Sequence, residues 1–116
     1  MKKTEMLKKN YEFKNVLSKG KFFVGKKIQI VLLKNNKNIN YLGIAISTKN
    51  GKSFQRNKIK RLIRESYRLT EDKIYKGYSI IILIKKNINI SEIKYIDVFK
   101  DLEYVFNKAN IVKKEE

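Results

Sequence analysis

The amino-acid sequence predicts an α+β fold in which helices pack on a small mixed sheet. Three observations predict it. Short runs rich in isoleucine, valine and leucine have strand length, other segments repeat their apolar residues at helical spacing, and the two kinds follow in the order helix, strands, helix, strand, helix. At 116 residues with no proline, no repeat and no low-complexity linker, the chain reads as a single domain over residues 1–116.

Residues 1–9 carry charge and little apolar periodicity, and are expected to form a flexible basic arm. Asn10 is placed to cap a helix over 11–18, with Phe13, Val16 and Leu17 on one face and Gly20 as its stop. A short strand is expected at 22–24 and a longer one at 28–33. The asparagine-rich run 34–40 then turns the chain into a strand over 41–47, predicted to pair with 28–33 as an antiparallel hairpin. After a loop at 48–55 comes a helix over 56–69. The run 78–84 is apolar at nearly every position and so belongs in the centre of the sheet, covered on both faces. Ser91 is positioned to cap a last helix ending near Lys108, with the stripe Tyr95, Val98, Phe99, Leu102, Val105, Phe106.

Charge narrows the function. The formal net charge is +17, and no acidic residue lies between Glu12 and Glu65, a stretch holding fourteen lysines and arginines. Such an excess repels itself, and a polyanion relieves the repulsion. No run reaches the roughly 18 apolar residues of a membrane span, and the charged start lacks the apolar core of a signal peptide. Zero cysteines exclude disulfides and thiolate metal sites and fit a reducing compartment, so a cytoplasmic protein with no membrane partner is expected.

The charge concentrates in one helix. At roughly 100° per residue, Asn57, Lys60, Arg61, Arg64 and Arg68 fall on one side, with Arg56 leading the row, while Ile59, Leu62, Ile63, Ser66, Tyr67 and Leu69 fall on the other. Each like-charge pair along Arg56, Lys60, Arg64 and Arg68 costs an isolated helix a few tenths of a kcal/mol, or about that much. A row of phosphates offsets this, because a guanidinium can fork two hydrogen bonds onto one phosphate. Lys49, Lys52 and Lys58 extend the cationic surface, and the loop around Gly51, with Ser53 as expected N-cap, aims backbone N–H groups the same way.

This segment resembles the signature of the bacterial ribonuclease P protein subunit, Ser-Lys-Lys-x-Gly-x-Ala-Val-x-Arg-Asn-Arg-x-Lys-Arg-x-x-Arg-Glu. Ser47, Lys49, Gly51, Arg56, Asn57, Lys60, Arg61, Arg64 and Glu65 match in register, with Thr48, Ser53, Phe54 and Lys58 departing from it. Leu7, Lys8 and Phe13 resemble the family's opening Leu-Lys-x-x-x-x-Phe. The resemblance implies the order α-β-β-β-α-β-α with a left-handed βαβ crossover, against the general right-handed norm. It implies that the surface formed by Lys49, Lys52, Arg56, Asn57, Lys58, Lys60, Arg61, Arg64 and Arg68 faces a catalytic RNA, the partner that cleaves precursor tRNA at the 5′ end of the mature sequence with Mg2+ held by that RNA. The single-stranded 5′ leader is then expected in a cleft bordered by Phe13, Leu17, Lys27, Gln29 and Val31. Family aromatics commonly stand where this chain has Leu17 and Val31, so Phe13 is the expected stacking residue.

With no histidine, the side chains offer no ready general acid–base pair. Asp97 and Asp101 share one helix face at i, i+4 but read as surface acids, so neither catalytic residues nor protein-bound metals, cofactors or obligate protein partners are expected. Composition alone fits a ribosomal RNA-binding protein equally well, although the Arg56-Asn57 pair after Gly51 argues otherwise. A helix-turn-helix DNA binder would need a helix immediately before the recognition helix, where this chain has a strand and a glycine loop.

Overall fold

The structure, a computed structural model, describes residues 3–114. Its elements are β1 (Thr4–Met6), α1 (Asn10–Lys19), β2 (Lys21–Val24), β3 (Ile28–Lys34), β4 (Asn40–Ala45), α2 (Ser53–Thr70), β5 (Tyr78–Ile84) and α3 (Tyr95–Lys108). The five strands form one mixed sheet in the order β1-β4-β5-β3-β2.

The predicted hairpin of residues 28–33 with 41–47 does not form. β5 lies between them, antiparallel to β3 and parallel to β4, and the true hairpin is β2 with β3. The reason lies in β5 itself. Ile80, Ile81 and Ile82 point alternately to opposite faces and are all fully buried, each contributing about 2 kcal/mol through removal from water. Only the sheet centre covers both faces and pairs both edges, so β5 displaces the sequence-adjacent pairing. Asn40 fixes the parallel start: its side-chain oxygen accepts from the Tyr78 N–H at 2.9 Å, and its amide donates to the Tyr75 carbonyl at 3.2 Å.

The two faces have separate cores. Ile28, Ile30, Leu42, Ile80, Ile82 and Ile84 meet Ile59, Ile63 and Tyr67 of α2 and Val98, Leu102, Val105 and Phe106 of α3. On the other face Val31 and Ile81 pack with Leu7 and Val16 under α1, bordered by Phe13, Leu33, Tyr41, Ala45 and Leu83.

The expected arm is in part a strand. Thr4–Met6 pair in parallel with Asn40–Leu42, and the Thr4 and Tyr67 hydroxyls share a buried 2.7 Å hydrogen bond. Burial pushes the Tyr67 phenol up to about 12. Residues 1 and 2, the rest of that predicted arm's start, lie outside the described residues.

Helix boundaries shift for one shared reason. Asn10, Ser53 and Ser91 are not the N-caps; Lys9, Lys52 and Lys94 hold those positions. In each case the side chain three residues on accepts the cap residue's N–H: Glu12 from Lys9 at 2.9 Å, Gln55 from Lys52 at 2.8 Å, Asp97 from Lys94 at 3.1 Å. A reach-back acceptor thus replaces the short polar cap. Ser91 instead sits in a short 3-10 turn, Ile90–Glu92. Gly20 does end α1, but in extended backbone at φ −78°. Its requirement is space: a Cβ there would come within 2.6 Å of Val31.

Asp101, expected on the surface, is buried and accepts the backbone N–H groups of Lys26, Lys27 and Ile28 at 2.8, 2.8 and 2.6 Å. It holds the β2–β3 turn onto α3.

Candidate nucleic-acid interface

α2 begins at Ser53, three residues earlier than its periodicity predicts, and the loop before it is structured. Thr48–Asn50 make a 3-10 turn whose N-cap, Ser47, accepts the Lys49 N–H at 3.2 Å. The Arg56 guanidinium folds back and donates to the Gly51 carbonyl at 2.7 Å. That bond ties loop to helix and explains why Arg56 is half-buried at the border of the core side.

Beyond Arg56 the helix divides as the wheel predicts, with two corrections: Leu69, placed on the core side, is 51% exposed near the helix end, and Leu62 is only half-buried. Ile59, Ile63, Ser66, Tyr67 and Thr70 are buried, while Asn57, Lys58, Arg61, Arg64 and Arg68 are exposed and Lys60 is half-exposed. Lys49 and Lys52 are exposed just upstream. Among the described residues the ion pairs are Lys3–Asp72, Lys27–Asp97 and Arg68–Glu65. Only the last involves this face. There Arg68 holds the Glu65 carboxyl below its ordinary value, and Glu65 raises the guanidinium in turn. The other cations present to solvent a single-signed surface with forked donors, spaced one helical turn apart. Its chemistry suits closely spaced anions.

The predicted cleft residues are not all brought together. Phe13 lies half-buried over β4, where only a glycine fits: a Cβ on Gly43 would sit 2.6 Å from the Phe13 ring. Leu17 follows one turn on, 36% exposed. Gln29 shares that face of the sheet, level with Leu83 of β5 and Val24 of β2. Val31 is on the same face but fully buried beneath α1, so it lines the core and not an open cleft. Lys27 departs altogether. Preceding β3, it bends to the α3 side, where its ammonium meets Asp97 at 3.4 Å.

In their place the fold supplies residues that periodicity did not single out. Phe22 is level with Val31 and Val24 with Gln29, both on the α1 face and both well exposed, at 48% and 39%. Phe22 therefore offers an open aromatic ring beside the buried Val31. The sequence Lys21-Phe22-Phe23-Val24 contains the signal, but two adjacent phenylalanines do not say which one faces α1; the register does. On the opposite flank of α1 a groove is lined by Tyr11, Asn15, Lys19, Lys34, Lys37 and Tyr41, with the Lys37 ammonium 5.3 Å from the Tyr41 ring centre.

A small α+β protein that displays one cationic helix face and a partly open sheet face is the class this geometry defines. The particular family follows from comparison with known proteins. Residues 1–110 match the family described as ribonuclease P, and the chain belongs to that family. It is 44% identical over 108 residues to the ribonuclease P protein component of Fusobacterium nucleatum, covering 91% of this chain and 97% of that one. The ribonuclease P protein component of Clostridium botulinum strain 657 is 41% identical over 110 residues, with 94% and 97% covered. The structure of the ribonuclease P protein from Thermotoga maritima superposes with a TM-score of 0.81 at 26% identity, covering 90% of this chain and 96% of that one.

Proposed function

We propose that this chain is the protein subunit of ribonuclease P, acting in removal of the 5′ leader from precursor tRNA. The α2 face, from Lys49 through Arg68, binds the catalytic RNA. The α1 side of the sheet, with Phe13, Leu17, Gln29, Phe22 and Val24, receives the single-stranded leader. The RNA performs the hydrolysis with its own Mg2+. The protein's part is positioning and charge neutralisation, which raise local occupancy of substrate and metal without a bond-making side chain.

One observation carries this reading: an exposed helix face about four turns long whose cations, Arg68 apart, have no carboxylate partner among the ion pairs of the described residues. Stability alone disfavours such a row, whereas a phosphate backbone uses it. The curated relatives, each a ribonuclease P protein component, support the same assignment. No helix among the described residues is long and apolar enough to cross a membrane.

Reconstitution tests the proposal. The chain is added to bacterial ribonuclease P RNA and precursor tRNA at limiting Mg2+, and is expected to restore cleavage. The variant Arg61→Ala/Arg64→Ala should bind the RNA more weakly, with a log–log salt slope shallower by about one to two, because fewer counterions are released. Arg56 is left intact, since its bond to Gly51 makes its loss a change in the loop. Cleavage unaltered by the wild-type chain rejects the assignment, and an unchanged slope in the double variant rejects the contact role of α2.

A further inference from the structure

Phe54 stands on the second residue of α2 and is 69% exposed, the most open large apolar side chain among the described residues. It closes no core cluster, and no ring–ring or cation–ring contact among the described residues involves it. Its setting is not a generic surface. Asn57, Lys58 and Arg61 follow it at i+3, i+4 and i+7, so all four share one stripe of α2, and all four are exposed. Lys52 precedes it and is exposed as well. The nearest acid on the helix is Glu65, three turns away and engaged by Arg68.

A flat hydrophobic ring surrounded by ammonium and guanidinium groups selects a partner that combines negative charge with a flat apolar face. Apolar protein surface supplies the second without the first. Duplex RNA supplies the first while keeping its base faces stacked inside. An unpaired nucleotide supplies both, because every base has a π-face and its own phosphates lie within reach of neighbouring cations. We infer that Phe54 is a base-stacking residue: it receives an unpaired nucleobase of the catalytic RNA, from a bulge, loop or junction, at the amino end of the cationic face. This rests on the proposed RNA contact of α2 and adds to it a shape requirement that cations alone do not impose. The phosphate row fixes where the RNA lies. The ring selects a place where a base is free.

The chain has no tryptophan, so Phe54→Trp introduces a single reporter at the site. Titration of that variant with ribonuclease P RNA should quench the indole emission as the base stacks. Phe54→Ala should bind the RNA about tenfold to a hundredfold more weakly, with its salt slope equal to wild type, and Phe54→Tyr should restore affinity. The side chain is exposed, so thermal unfolding of all three should match wild type, separating contact from folding. Emission unchanged on complex formation, or Phe54→Ala binding as tightly as wild type, overturns the inference and leaves the α2 contact standing. A wild-type chain that fails to bind the RNA overturns both.

Discussion

The starts of α1 and α3 and the start of α2 solve one problem with different chemistry. At each, a side chain at the third helical position turns back to accept the N-cap N–H. In α1 and α3 that acceptor is a carboxylate, Glu12 or Asp97; in α2 it is the neutral amide of Gln55. Carboxylates complement the positive end of a helix, and the backbone N–H bonds hold the Glu12 and Asp97 carboxyls below their ordinary values. Asp101 extends the pattern by gathering three backbone N–H groups of the β2–β3 turn. These three acids thus organise the protein's own backbone. α2 forgoes the same benefit at its start and leaves its positive end among cations. The difference teaches that the first half of α2 is kept free of negative charge at some expense in helix stability, which supports the anion-binding role proposed for it.

Four substitutions break or sharpen that contrast. The largest effect is expected at Asp101. Asp101→Asn replaces a carboxylate serving three N–H groups with one amide oxygen, and should destabilise the fold by about 2–4 kcal/mol, read as a lower urea midpoint at unchanged m-value. A loss under about 1 kcal/mol would show that the acid does not organise the turn.

An intermediate effect is expected for Gln55→Glu, which keeps the acceptor and adds the charge that α1 and α3 have. Folding stability should rise by about 0.5 kcal/mol, while affinity for the catalytic RNA falls severalfold. Both are measurable on one sample by thermal unfolding and RNA titration. Tighter or equal RNA binding would mean that the absence of acid at this site has no bearing on function.

The smallest effect belongs to Glu12→Gln and Asp97→Asn, since both groups are exposed and screened. Their folded carboxyls titrate below the unfolded value, so the stabilisation is complete above the ordinary carboxyl range and disappears as pH falls through the lowered value. Each variant should be slightly less stable than wild type near neutral pH, with the difference vanishing in acid. A difference that persists below the carboxyl range points to packing.

Much of this was legible because it depends on local periodicity. The run 78–84, apolar except for Ser79, showed that it is central, and the helical repeat of residues 56–69 separated its cations from most of its core residues. The motif around Arg56-Asn57 carried the family. What remained hidden depends on neighbours distant in the chain. Nothing near Val31 says that α1 covers it completely, and Lys27 alternates correctly with Gln29 yet is drawn to Asp97, seventy residues away. Phe22 and Phe23 are indistinguishable until β2 takes its register on β3. Asp101 has the spacing of a surface acid and becomes a buried anchor only because the turn at Lys26–Ile28 offers it three donors.

The sequence by itself therefore determined the α+β class and the division of α2, and it pointed to a polyanionic partner, because each follows from the order and type of residues within one segment. Tertiary structure alone decided strand order, the pairing of Thr4–Met6 along β4, and which side chains line the α1 face. Those outcomes turn on competition for burial: β5 needs cover on both faces and an occupied edge on each side, and the hairpin that sequence proximity favours gives way to it.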